Sequence, residues 1–170
     1  MTSVKGLYSA WDKVCQYMDK YGESILGANE EATRYTLVDP ILRALGWEVE
    51  NPKYVRVECC QDYGGKPDYA CLKKGKPVLY VEAKKWGTIS PIKKLDNPFS
   101  TGEFEQLKNY CNSNSVDVGA LSDGGAWYIL DFSQSKTPQI VAFIDAETAG
   151  RSEIKQLLDI SREVIYKLVP

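Results

Sequence analysis

The chain has 170 residues, of which 44% are hydrophobic and 26% charged, a composition typical of a globular protein with a hydrophobic core. Its net charge of −2 gives no basic footprint of the kind expected for a protein that only coats nucleic acid. An enzyme with a carboxylate metal site escapes that expectation, because bound cations offset its acidic side chains. The absence of histidine excludes imidazole zinc sites and Ser-His or Cys-His catalysis, so chemistry must rest mainly on Asp, Glu, Lys, Gln and Tyr.

The five cysteines form no CxxC pair, and their odd number indicates reduced thiols rather than a disulfide framework. The first residues lack the apolar segment of a signal peptide, and no apolar run approaches the ~20 residues that cross a membrane. We therefore expect a cytoplasmic protein that makes no membrane contact, with a single domain over residues 1–170.

The first two predicted elements are helices. Apolar residues at helical spacing predict one helix over residues 4–21 and a second over residues 29–45. Asn29 is a good N-cap for the second helix, and Gly46 is a plausible stop. Pro40 lies inside the second pattern and should kink it.

A strand and a hairpin follow in the sequence. Alternating residues predict a strand over residues 53–60, and residues 68–73 and 77–84 predict two further strands joined by the turn Lys74-Gly75-Lys76. The continuous apolar run at residues 78–81 indicates burial on both faces, as in the centre of a mixed sheet.

The rest of the chain continues this alternation of helices and strands. The patterns predict an irregular segment over residues 86–101, a helix over 102–112, strands over 116–122, 126–132 and 138–144, and a final helix over 152–168 with Ser152 as its cap. The order of elements predicts an α/β or α+β fold with one mixed sheet flanked by helices.

Two carboxylates and a lysine stand out in the predicted hairpin. Glu82 and Lys84 are two residues apart on a strand and so point to the same face. Asp68 starts the preceding strand and should lie opposite Glu82. Facing carboxylates repel unless a cation joins them, and oxygen ligands of this kind suit Mg²⁺ or Mn²⁺. A metal held there can polarise a phosphate and activate a water, with Lys84 offsetting charge in the transition state.

The pattern has a simpler interpretation, in which the three residues have no function. Glu-x-Lys occurs by chance in many proteins, and Asp and Lys often occupy solvated hairpin ends. The apolar strand that precedes Glu82 argues against it, because charges placed there are not at an ordinary solvent face. A metal-dependent phosphodiesterase is therefore the favoured interpretation.

The same residues resemble a known catalytic pattern. Pro67-Asp68 followed by Glu82-Ala83-Lys84 is similar to that of the PD-(D/E)xK nuclease superfamily. Further segments resemble the nuclease domain at the N-terminus of type I restriction enzyme motor (R) subunits and their stand-alone relatives. These segments are the predicted helix from Asn29 to Trp47, the Q-x-x-x-Y motif at Gln106 to Tyr110, and Gly119 to Gly124 followed by Trp127. The resemblance implies a restriction-endonuclease-like fold and hydrolysis of DNA phosphodiester bonds.

The resemblance also implies roles for individual residues. Asp68 and Glu82 correspond to metal ligands, the Ala83 carbonyl to a third ligand, and Lys84 to the catalytic lysine. Glu30 corresponds to a helix acid that reaches the metal directly or through water. Glu31 is the alternative, and either residue could instead be an acid that favours the helix N-terminus.

Four residues are candidates for DNA contact. Gln106 and Tyr110 correspond to a motif that contacts DNA or orients the lysine, although an ordinary helix face would look the same. Lys66 and Arg34 have the charge to contact phosphates. The sequence contains no Walker motif for ATP-driven translocation.

The expected partner is DNA, with RNA as an alternative. Cutting both strands of a duplex is easiest for paired active sites, which favours a homodimer or a larger restriction-type complex. Two other functions remain open: a non-catalytic nucleic-acid-binding or assembly module that kept the fold, and a small-molecule enzyme of another class. The lack of histidine and of a glycine-rich phosphate loop disfavours the second.

Overall fold

A computed structural model of the chain describes residues 2–24, 26–58, 66–94 and 97–169. These residues contain the strands β1 (Val55–Val57), β2 (Tyr69–Lys73), β3 (Lys76–Ala83), β4 (Val118–Ser122), β5 (Ala126–Asp131) and β6 (Gln139–Asp145). They form one six-stranded sheet in chain order, in which β3 and β4 are parallel and the other neighbours antiparallel. The predicted mixed sheet of an α/β fold is confirmed.

Helices cover both faces of the sheet. They are α1 (Val4–Tyr21), α2 (Glu30–Thr33), α3 (Asp39–Ala44), α4 (Ile89–Ile92), α5 (Gly102–Asn114), α6 (Arg151–Lys155) and α7 (Arg162–Leu168). Cys71 and Val81 pack in one core with residues of α1, α3, α6 and α7, while Ala70 and Tyr80 pack in a second core with α4 and α5. Successive strand residues thus enter opposite cores, as the continuous apolar run of β3 predicted. Within the described ranges, no helix is long and apolar enough to cross a membrane.

The second predicted helix is present but contains a wide turn. The Asn29 side chain accepts a hydrogen bond from the Ala32 N–H at 3.1 Å, so the predicted N-cap is confirmed. Instead of a simple kink, a π-helical segment, Arg34–Val38, joins α2 to α3. Pro40 lacks an N–H and would clash with the carbonyl of residue 36 in a regular helix, which accounts for the wider turn before it. Gly46, with φ +85°, ends the helix as predicted.

The prediction of one continuous final helix was wrong. The segment consists of α6, a 3-10 segment (Gln156–Ile160) and α7. Ser152 lies inside α6, which Gly150 precedes as the N-cap. The break is at Ser161, whose hydroxyl accepts from the Val164 N–H while the Arg162 N–H donates to the Leu45 carbonyl at 3.0 Å. A cap and a tertiary hydrogen bond therefore override helical periodicity here.

The tryptophans Trp11, Trp47 and Trp127 are all buried in the core. The predicted strand at residues 53–60 is shorter, and its last two residues, Cys59 and Cys60, lie outside the described residues. Residues 61–65, which follow this strand, lie outside them as well. In the irregular segment over residues 86–101, the described residues (86–94 and 97–101) form the single-turn α4 and the 3-10 turn Pro98–Ser100.

Candidate active site

The β2–β3 hairpin brings the two predicted carboxylates together. Lys74 and Gly75 have φ of 51° and 81°, which allows the two-residue turn between the paired Lys73 and Lys76. At the other end of the hairpin Tyr69 pairs with Val81, so one further step brings Asp68 opposite Glu82. The predicted cross-strand neighbours are confirmed.

The two carboxylates differ in their surroundings. Glu82 is only 2% exposed, and its Oε2 has no hydrogen-bond partner among the described residues. Asp68 is half-buried, and its Oδ2 accepts the Ala83 N–H at 2.8 Å. Burial raises the pKa of Glu82 to about 7, with a further contribution from the charge of Asp68. Burial likewise raises the pKa of Asp68. Carboxyl groups with raised pKa values, lying side by side as these two do, are found frequently at functional sites.

Lys84 connects these carboxylates to helix α5. Its Nζ donates to Glu82 Oε1 at 2.7 Å and to Gln106 Oε1 at 3.0 Å. Burial alone would lower the pKa of Lys84, but the hydrogen bond and charge of Glu82 outweigh burial and raise it. The Gln106 amide in turn donates from Nε2 to the Tyr110 hydroxyl at 2.8 Å. Lys84 is therefore held as a charged donor, and Tyr110, which is buried, orients Gln106.

The N-terminal helix acid faces this group. Glu30 is exposed on the first turn of α2, and its charge helps to raise the pKa of both Asp68 and Lys84 after the larger effects of burial and hydrogen bonding. Glu30 therefore lies near enough for its charge to act on both groups.

The two residues that were predicted to contact phosphate differ in their exposure to solvent. Lys66 is exposed two residues before Asp68. Arg34 instead points inward, with NH1 at 3.3 Å from Asp68 Oδ1 and a side chain that is 12% exposed. Its guanidinium lies 5.1 Å from the Tyr69 ring centroid. Arg34 is thus part of the carboxylate group in this structure rather than a free surface cation.

A comparison with family models identifies the segment that carries this site. Residues 55–138 match the family described as the type I restriction enzyme R protein N terminus. The segment that carries the site therefore belongs to this family. No significant match was found among the curated proteins or the solved structures.

Membership in the R protein N-terminus family identifies a restriction-type nuclease module. The matched segment runs from β1 to just before β6 and includes Asp68, Glu82, Lys84, Gln106 and Tyr110. It begins after the helix that carries Glu30 and Arg34, so these two residues are connected to the site by geometry rather than by the match.

The sequence did not identify three residues that lie around the site. The Tyr69 hydroxyl donates to Asp39 Oδ1 at 2.6 Å, which anchors the ring beside Arg34. Asp39 is 5% exposed, and an acidic residue within the apolar stripe of its helix was a signal for such a buried partner. Glu58, 2.7 Å from Arg34 NH1, gave no signal in the sequence.

Asp123, in the turn between β4 and β5, has a structural role. Its Oδ2 accepts the N–H groups of Gly87 and Ile89, and its Oδ1 those of Gly125 and Ala126, at 2.9 to 3.1 Å. The carboxylate therefore ties the β4–β5 turn to the segment that follows Lys84.

A cavity of about 770 Å³ lies beyond this turn and is lined by residues that include Trp86, Lys93, Asp123, Asp145 and Glu147. Lys93 forms ion pairs with both Asp145 and Glu147, and Asp123 is satisfied by backbone N–H groups. None of Asp68, Glu82 and Lys84 lines this cavity. The cavity is therefore separate from the group formed by the two carboxylates and the lysine of the hairpin.

The buried Glu82 predicts a pH dependence of stability in metal-free protein. The folded state binds the Glu82 proton more tightly than the unfolded state, because the pKa rises from 4.5 to about 7. The resulting stability is fully present below pH 4.5 and is lost as pH rises through about 7. The wild type should lose on the order of 2–3 kcal/mol of unfolding free energy across this window, relative to Glu82→Gln.

Urea denaturation in EDTA at pH 5 and pH 8 measures this difference. The Glu82→Gln variant is the matched control, since glutamine has the same shape and does not titrate. A smaller fall remains in the variant because the pKa of Asp68 is raised as well. Parallel pH profiles of the two proteins would contradict the prediction.

Proposed function

We propose that this chain is a Mg²⁺- or Mn²⁺-dependent endonuclease that hydrolyses DNA phosphodiester bonds. The observation that carries the proposal is the opposition of Asp68 and Glu82 with Lys84 hydrogen-bonded beside them, within the segment that matches the restriction-enzyme family. The family supports a nuclease module and interaction with DNA, and the side chains supply a reason for metal dependence.

The residues present fit a divalent cation with oxygen ligands. Asp68, Glu82 and the Ala83 carbonyl would hold it, and Glu30, whose charge acts on Asp68, would contribute through water. The unpartnered, buried Glu82 Oε2 is an atom that such a cation would satisfy. The described residues contain no group of three His, Cys, Asp or Glu side chains arranged for a metal. A two-carboxylate site still suits Mg²⁺, which keeps several of its waters.

The metal would polarise a phosphate oxygen and lower the pKa of a bound water. The side chains of the protein would hold the ammonium group of Lys84 in place beside the metal. Lys84 is protonated, so it acts by donating hydrogen bonds to a water or a phosphate oxygen rather than by accepting a proton. Gln106, fixed by Tyr110, restricts the ammonium to one position.

Incubation of the protein with supercoiled plasmid and Mg²⁺ or Mn²⁺ tests this function. Nicked or linear DNA should form with the wild type, and Glu82→Gln should cut at least ~100-fold more slowly, the scale of losing one transition-state contact. Circular dichroism checks that both proteins are folded. An RNA substrate of the same sequence separates deoxyribonuclease from ribonuclease activity. Equal cutting by the two proteins would exclude Glu82 from the reaction.

One observation favours a second candidate, a non-catalytic nucleic-acid-binding or assembly module. Lys84 and Arg34 already form ion pairs with Glu82 and Asp68, so the carboxylates are balanced by the protein itself. Calorimetric titration with Mn²⁺ separates the two candidates. A folded wild type that binds DNA but neither binds Mn²⁺ nor cuts DNA would support this second function.

A further inference from the structure

Arg34 lies between two carboxylates, one of which is a proposed metal ligand. Its NH1 is 2.7 Å from Glu58 Oε1 and 3.3 Å from Asp68 Oδ1. The first contact is a hydrogen bond and the closer of the two. Both anions thus share one guanidinium nitrogen, and a small displacement of Arg34 changes which of them it neutralises.

The two oxygens of Asp68 are not equivalent. Oδ2 accepts the Ala83 N–H at 2.8 Å and is thereby committed to the backbone of β3. Oδ1 is the oxygen that remains for a cation, and it is the oxygen that Arg34 contacts. A divalent cation at Asp68 and the Arg34 guanidinium therefore compete for the same atom.

Glu58 is placed to receive Arg34 when it leaves Asp68. Its N–H donates to the Asp68 carbonyl at 3.1 Å, so its backbone is fixed beside Asp68. Its side chain is 66% exposed and free to follow the guanidinium. Glu58 also has φ 47°, an uncommon conformation for a residue other than glycine that persists only where its surroundings impose it.

The base of the Arg34 side chain is held in place. Arg34 opens the π-helical segment, and its carbonyl accepts the Asp39 N–H across that wide turn. The Tyr69 ring lies against the guanidinium and is itself fixed by the hydrogen bond to Asp39. Isolated π turns of this kind frequently occur at functional sites. Only the tip of the side chain needs to move between its two partners.

We propose that Arg34 is a positioning residue that controls metal occupancy of the site. It neutralises Asp68 while no divalent cation is bound, and Glu58 retains it when a cation takes its place at Asp68 Oδ1. This inference rests on the proposed function, because it requires Asp68 to be a metal ligand. It replaces the predicted phosphate contact of Arg34 with a role inside the protein.

The proposal predicts opposite effects of two charge-removing variants on Mn²⁺ affinity, measured by titration calorimetry without DNA. Arg34→Gln removes the competing charge and should tighten Mn²⁺ binding by about tenfold. Glu58→Gln removes the alternative partner of Arg34 and should weaken binding by a few-fold. In the double variant the effect of Glu58→Gln should largely disappear, because the two residues act through one contact.

Arg56→Gln is the matched control for a general change in charge. Arg56 is an exposed cation on β1, two residues before Glu58. Its loss should change Mn²⁺ affinity less than ~2-fold, because exposed charges beyond contact distance are screened. Thermal unfolding of each variant verifies that the titrated protein is folded.

DNA binding in EDTA distinguishes the proposal from a phosphate contact. A phosphate-binding Arg34 predicts that Arg34→Gln weakens metal-free DNA binding, reduces the salt slope by about one and leaves Mn²⁺ affinity unchanged. That result would overturn this inference and leave the proposed function standing. If neither the wild type nor Arg34→Gln binds Mn²⁺, both the inference and the metal-dependent function fail. Tighter Mn²⁺ binding by Arg34→Gln with unchanged DNA binding supports the proposal.

Discussion

Replacing Lys84 by alanine is expected to slow DNA cleavage by about 100- to 1,000-fold while the protein stays folded. The Lys84 ammonium is the donor shared by Glu82 and Gln106, so its loss removes the positive charge that is hydrogen-bonded to the buried Glu82. The Lys84 side chain is partly buried, at 16% exposure, so its ammonium is held inside the site rather than in bulk solvent. Initial rates of plasmid nicking in Mg²⁺ measure the effect.

Lys85→Ala is the matched control for this substitution. Lys85 is the next residue along the chain and is exposed, so its loss removes the same charge without removing a donor from the site. We expect its cleavage rate to stay within about threefold of the wild type, because a screened surface charge contributes little. Equal rates for the two alanine variants would mean that Lys84 is not part of the reaction.

Gly124→Ala is expected to lower the free energy of unfolding by about 3–5 kcal/mol, the largest stability effect of the single changes considered. Gly124 has φ +80°, and a methyl group there would meet the Leu37 Cβ at 2.2 Å. Leu37 is fully buried in the π-helical segment, so it cannot move away without disturbing the core. Strain in the backbone and overpacking therefore add together.

Gly75→Ala separates these two causes. Gly75 has nearly the same φ, +81°, but no atom lies within 4 Å of an added methyl group. It should lose only the backbone part, about 1–2 kcal/mol. Urea denaturation of both variants gives the comparison. Equal losses would mean that the contact with Leu37 does not determine the requirement for glycine at 124.

The sequence predicted the parts of the fold that depend on local patterns. The hairpin was predictable because a strand period, a two-residue turn and a second strand period together determine which residues face each other. That was enough to oppose Asp68 and Glu82 and to put Lys84 on the same side. The cap at Asn29 was predictable for the same reason, since it depends on residues three positions apart.

Features that depend on distant contacts were not predictable. Ser161 rather than Ser152 starts a helix, because the chain there bonds to Leu45, more than a hundred residues earlier. Arg34 was expected to be free for phosphate, yet it points inward because Asp68, Glu58 and the Tyr69 ring surround it. Side-chain charge alone indicates that a partner is needed, and only the tertiary fold identifies the partner.

The hairpin determines which parts of the site would stay in place if another element of the fold loosened. The proposed metal ligands Asp68, Glu82 and Ala83 lie in a segment of contiguous chain closed by a tight turn, and hydrogen bonds within the hairpin hold them opposite each other. The position of Lys84 depends additionally on α5, which reaches the site from a different part of the sequence through Gln106. Loosening of α5 would remove one of the two hydrogen-bond partners of Lys84 while the carboxylates stayed aligned, so the proposed cation binding would survive a change that slows the proposed cleavage.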